Sequence, residues 1–178
     1  MKLLRTIRLD ASDTFVFDAA AEPGEWAVSG AFAFWQKDPA VLDGKARAAF
    51  RSGFLGVHSL GWSTLVQIVE ATAADRAQLV ELLAKQLVRR FGAPTIAAAT
   101  IAAEEEVAFA QSLCSMPSDS VVAVHRAYED GAMRESFRTL RPRDRKSLGN
   151  VFSFLEVEGE DAPGEQIDIT ALAERENK

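Results

Sequence analysis

The chain is poor in the residues that build cross-links and cages. Its single cysteine, Cys114, excludes an internal disulfide and a cysteine-based zinc cage. Two histidines, His58 and His125, are too few for the usual zinc spacings, so no metal or cofactor is expected. No run of about 18 apolar residues exists, so no membrane span is expected. Residues 1–8 place arginines where a signal peptide needs an apolar stretch, which reads as a mature start and a cytoplasmic protein. The formal net charge of −6 argues against nucleic acid as the main partner.

What is present is enough for a core. At 178 residues and 48% hydrophobic, one domain is expected. Charge is uneven along it. Residues 134–146 carry Arg134, Arg138, Arg141, Arg143, Arg145 and Lys146 against Glu135 and Asp144. Residues 156–178 are rich in Glu and Asp. The two stretches either pair with each other or form two solvated surfaces.

The stretch GVHSLGWST, residues 56–64, imitates a phosphate loop: Gly56, four residues, Gly61, one residue, Ser63. The chemistry is wrong. Trp62 stands where a lysine must reach the terminal phosphates, and a neutral indole balances no charge. The order is also reversed. Residues 45–54 read as a helix and residues 63–70 as a strand, whereas a phosphate loop follows a strand and opens a helix. The stretch reads instead as a glycine-rich turn that delivers the chain into a buried strand.

The remaining pattern predicts an α+β domain over residues 1–158, mainly one antiparallel sheet of six or seven strands with three or four helices. Residues 159–178 form an acidic C-terminal tail. Alternation in residues 2–9 and β-branched or aromatic content at 14–17 predict strands. Residues 26–35 predict a third, with Trp26, Val28, Phe32 and Phe34 on one face. Trp26, Phe32, Phe34 and Trp35 read as core rather than as a cofactor box. Asp38-Pro39 is a helix start, with Asp43-Gly44 a break. A helix from Thr72 or Ala73 to Gly92 places Ala77, Val80, Leu83, Leu87 and Phe91 on one face. Residues 104–114 predict another, with Glu104, Glu105 and Glu106 near its start, where the helix dipole favours them. Asp130-Gly131 is the favoured two-residue hairpin turn. It sets Glu129 opposite Ala132, Tyr128 opposite Met133, Arg126 opposite Glu135, His125 opposite Ser136 and Val124 opposite Phe137. Residues 151–157 are the last strand.

The leading candidate site is the hairpin face with His125, Arg134, Ser136 and Arg138. Alternate arginines on one strand suit a carboxylate or phosphate, and an imidazole nearby titrates close to neutral pH. The plainer reading is a solvent-facing surface. His58, in the glycine-rich loop, joins the candidates because small residues there admit close approach. Cys114 with His125 would make a thiolate and base, but Cys114 falls on an apolar helix face and reads as buried structure. The three adjacent glutamates point about 100° apart and do not converge on a metal.

The stretches KLLRTIRLDASDTFVFDAAAEPGEWAVSGAFAFW, GFLGVHSLGWSTLV and FRTLRP resemble a family of uncharacterised alphaproteobacterial proteins, a domain of unknown function. The resemblance covers nearly the whole chain. It implies no catalytic residues. It implies an accessory role in the assembly or maturation of a redox enzyme, of the molybdenum-dependent oxidoreductase kind. The residues themselves favour a non-catalytic cytoplasmic interaction protein whose partner is another protein or a second copy of the chain. The alternative is a binder or enzyme for a small anion on the His125 face.

Overall fold

Strand β1 (Lys2–Ile7) lies inside the sheet, and its sequence says why. Leu3 and Leu4 are both fully buried, so both faces of the strand are covered. A fully buried leucine contributes about 1.5–3 kcal/mol. The computed structural model describes residues 1–35, 37–129, 131–142 and 155–158, and the backbone only at 141, 142 and 155–158. The other strands are β2 (Trp26–Val28), β3 (Phe54–Gly56), β4 (Trp62–Ser63), β5 (Leu65–Glu70), β6 (Val121–Glu129), β7 (Ala132–Pro142) and β8 (Leu155–Glu158). They form one sheet in the order β4-β3-β2-β1-β5-β6-β7-β8, every neighbour antiparallel. Helices α1 (Ser12–Val16), α2 (Gly44–Ser52), α3 (Ala73–Arg90) and α4 (Ile96–Ser112) complete an α+β domain, with seven strands by residue 142 and β8 as an eighth. The acidic tail, 159–178, lies outside the described residues.

The hairpin has the register that its turn dictates. Glu129 faces Ala132, Arg126 faces Glu135 and His125 faces Ser136. Asp130 lies outside the described residues, and Gly131 takes φ 78°, the left-handed geometry such a turn requires. At β8, Glu156 stands opposite Arg141. Residues 151–154 of the expected last strand lie outside the described residues.

Four local expectations are corrected. Residues 14–17 are not a strand: Ser12–Val16 make one helical turn, fixed by the Asp13 carboxylate accepting from Thr64 N at 3.2 Å. The strand at 26–35 stops at Val28. Gly30 turns left-handed at φ 77°, where a Cβ would lie 2.6 Å from Leu55 Cβ, and Ala31–Phe34 coil into a 3-10 turn. Phe32 then meets Phe91 at 5.1 Å and Phe34 meets Trp62 at 5.1 Å, but Trp35 is left 79% exposed instead of joining the core. Residues 39–41 form only a short 3-10 turn before α2 begins at Gly44. Finally, α4 starts at Ile96, eight residues before the expected point, capped by Thr95. Its first two turns are Ala, Ile and Thr on all sides, so periodicity gives no signal there.

α3 keeps its predicted ends. Thr72 and Asp75 form a capping box, and Gly92 follows the helix at φ 74°. Leu79, Val80, Leu83, Ala84 and Leu87 are buried, while Ala77 is on the solvent side. The main core lies between the sheet and the pair α3/α4. A second, small core of Phe17, Phe34, Leu42, Ala49 and Phe50 sits under α1, the 3-10 turns and α2.

Candidate functional site

The glycine-rich loop does bind an anion, but its own. His58 N and Ser59 N donate to Glu25 Oε2 at 3.0 and 2.8 Å, and Glu22 N donates to Oε1 at 2.8 Å. Gly56 leaves the room, since a Cβ there would lie 2.8 Å from Glu25 Oε2. Gly61 is pressed against the Ala20 carbonyl, and Trp62 packs over Gly30 and Gly53. The His58 carbonyl accepts from Gln86 Nε2 at 3.1 Å, and its side chain is exposed. Every polar feature that resembled a nucleotide site is used to fasten the loop.

Arg126 closes the sheet on itself. Strands β2 and β6 are separated by β1 and β5, yet the Arg126 guanidinium reaches the Ser29 carbonyl just beyond β2. It donates to Ser29 Oγ at 3.0 Å, to the carbonyls of Phe50 and Gly53 at 3.1 and 2.7 Å, and to Glu135 Oε1 at 2.6 Å. Ser29 Oγ donates to the same Glu135 oxygen at 2.6 Å. Arg126 is fully buried, and all five of its N–H groups are engaged. Only a curled sheet allows this. The Phe54 and Phe137 rings also meet across the curl at 6.2 Å.

Glu106, on α4, faces this network. The glutamates are mid-helix, not at a solvated start. Glu104 pairs with Arg76 at 2.6 Å, whereas Glu106 turns inward and its Oε2 is buried with no partner among the described residues. Burial, and then the like charge of Glu135, raise its carboxyl from 4.5 to about 7, against the pull of Arg126. The sequence pairs Arg126 with Glu135 on an otherwise apolar face, which is the one local signal of a buried ion pair. Nothing in the sequence places Glu106 beside them.

Over this clamp lies a cleft of about 310 Å³, between α2 and β6. Arg47, Phe50 and Arg51 form one wall; His125, Arg126, Ala127 and Tyr128 form the other; Pro39 and Ala40 close one end. Arg47 Nε is held by the Leu42 carbonyl at 2.7 Å. Of the sequence candidates, only His125 lines the cleft. Arg134, Ser136 and Arg138 are exposed, and Arg134 Nε lies 3.5 Å from Glu129 Oε2. The glycine-rich loop forms no wall of it. Cys114 is buried, bonded to the Ala110 carbonyl at 3.4 Å, and burial pushes its thiol up to about 11. At neutral pH it is a thiol, not a nucleophilic thiolate.

Large apolar side chains stand exposed on the elements around the small core and the cleft: Phe15 on α1 is 74% exposed, Trp35 79%, Val41 74% and Tyr128 on β6 49%. No group of three or more His, Cys, Asp or Glu placed to hold a metal ion occurs among the described residues. No helix among them is long and apolar enough to cross a membrane.

The fold and site therefore define a curled antiparallel α+β domain with a basic cleft and an apolar rim. The chain belongs to the Family of unknown function (DUF6505), whose model matches residues 1–154. No curated protein and no solved structure matches it.

Proposed function

We propose that the chain is a non-catalytic accessory domain that binds another protein where α1, the 3-10 turns and α2 enclose the small core. The observation that carries this reading is Trp35, 79% exposed on a turn fastened from below by Phe34. Scattered exposed apolar residues are ordinary. Here Phe15, Trp35, Val41 and Tyr128 ride on adjoining elements, with Arg47 and Arg51 beside them. Aromatic anchors flanked by arginine are the usual composition of a protein interface. A cytoplasmic setting, which rests on the arginines of residues 1–8, and a partner from redox-enzyme assembly, which rests on the sequence resemblance alone, belong to the same proposal. The test compares tagged wild type with a Trp35→Ser, Val41→Ser variant in host extract. Loss of a retained protein at unchanged Tm is the expected result. A variant that retains every protein held by the wild type refutes the reading.

The cleft favours a second reading, a small anionic ligand held by Arg47 and Arg51 with His125 at the mouth. The exposed Arg134 and Arg138 would extend the positive field, with the Ser136 hydroxyl between them. Native mass spectrometry of gently purified protein decides it: an adduct lost on activation supports a ligand, and a bare chain removes it.

A further inference from the structure

The cleft has a backbone wall as well as side chains. Among the described residues β5 pairs with β6 only at Val121–Ala123, and the next residues of β6 have no strand on that side. Ile68 N donates to Ser120 O at 2.9 Å, which makes Ser120 point its peptide groups toward β5. In an antiparallel ladder this direction alternates. Val122, Val124, Arg126 and Tyr128 thus point the same way, and His125 and Ala127 point toward β7. The N–H and C=O of Arg126 and Tyr128 therefore point to that open side, both residues line the cleft, and these groups have no backbone partner among the described residues. An unpaired edge of this kind is a template for another strand.

The opposite wall selects the charge. Arg47 and Arg51 are one helical turn apart on α2, about 6 Å between their Cβ atoms. Alternate side chains of an extended strand repeat at about 6.6 Å. Two carboxylates separated by one residue match both arginines, and no Asp or Glu among the described residues lines the cleft. A small carboxylate would meet the arginines, but only a polypeptide supplies N–H and C=O groups at the spacing of the edge.

We propose that the β6 edge at Arg126 and Tyr128 accepts an extended acidic segment of a partner protein as an added strand, with acidic side chains at alternate positions facing Arg47 and Arg51. The proposal rests on the interaction role argued above and names the partner's chemistry.

The test uses the full chain and a fluorescein-labelled ten-residue peptide of alternating Glu and Val, with an alternating Lys and Val peptide as control. Fluorescence anisotropy is expected to show binding of the acidic peptide alone, weakened by salt. Arg51→Glu is expected to weaken it at least about tenfold. The exposed Arg51 side chain makes no hydrogen bond or ion pair among the described residues, so the fold does not depend on it. Amide exchange read by NMR is expected to slow at Arg126 and Tyr128 on binding and to stay unchanged at Ala127. Equal binding of both peptides, binding by Arg51→Glu at wild-type strength, or binding without protection of those two amides overturns the proposal. So does an absence of binding. If Arg126 and Tyr128 are already protected in the free chain, the occupant is the chain's own acidic tail when protection is independent of concentration, and a second copy when it rises with concentration. Either result overturns assignment to a partner. A Trp35→Ser, Val41→Ser variant that loses its partner while Arg51→Glu keeps it would sink this inference and leave the interaction role standing.

Discussion

Replacing Glu106 by Gln tests the electrostatics of the clamp most directly. The carboxyl is raised from 4.5 to about 7, first by burial and then by Glu135. At about 1.4 kcal/mol per pH unit the ceiling is about 3.5 kcal/mol. The side chain is only part-buried, so solvent screening reduces this to about 2 kcal/mol. The sign follows from proton binding. Between pH 4.5 and 7 the folded chain holds a proton at Glu106 that the unfolded chain has lost, so stability falls as pH rises. The stabilisation is complete below about 4.5, declines toward 7 and is gone above it. Gln keeps the shape and cannot ionise. The assay is urea unfolding followed by tryptophan fluorescence at several pH values, for wild type and Glu106→Gln. Taking the difference between the two chains cancels the carboxylates remote from Glu106 and leaves Glu106 with its coupling to Glu135. The variant is expected to gain about 2 kcal/mol on wild type between pH 4.5 and 7.5, then to hold that lead. A difference that stays constant across this window, or moves in favour of wild type, refutes the burial and like-charge argument.

Two further outcomes follow from the same packing. Arg126→Ala leaves the half-buried Glu135 without its cation and the buried carbonyls of Ser29, Phe50 and Gly53 without this donor, and is expected to cost about 3–5 kcal/mol in chemical denaturation; a loss below about 1 kcal/mol would show that the curl stands without the clamp. Cys114 is expected to resist iodoacetamide in the folded chain at pH 8 and to react at once in urea, because its thiol is buried and its ionisation displaced to about 11; rapid labelling of the native protein, read by mass, would contradict its placement.

What was legible in the sequence is what neighbours along the chain decide. The β6–β7 register followed from Asp130-Gly131, because a two-residue turn permits one pairing. The ends of α3 followed from Thr72 and Gly92, which satisfy or release local backbone groups. The failure of the phosphate loop followed from one side chain, Trp62. Tertiary structure decided the rest. Val28 ends β2 because the curled sheet needs Ser29 to meet Arg126, 97 residues away. The loop amides at His58 and Ser59 are taken by Glu25, more than thirty residues earlier. Glu106 turns inward although its neighbours Glu104 and Glu105 do not, and that choice depends on which face of α4 the sheet covers. The cleft exists only because α2 lies across an edge that β5 leaves open. Periodicity and turn chemistry report the conformation of one segment. Which distant carbonyl a guanidinium will reach, and which strand edge stays open, are set by the closure of the whole sheet.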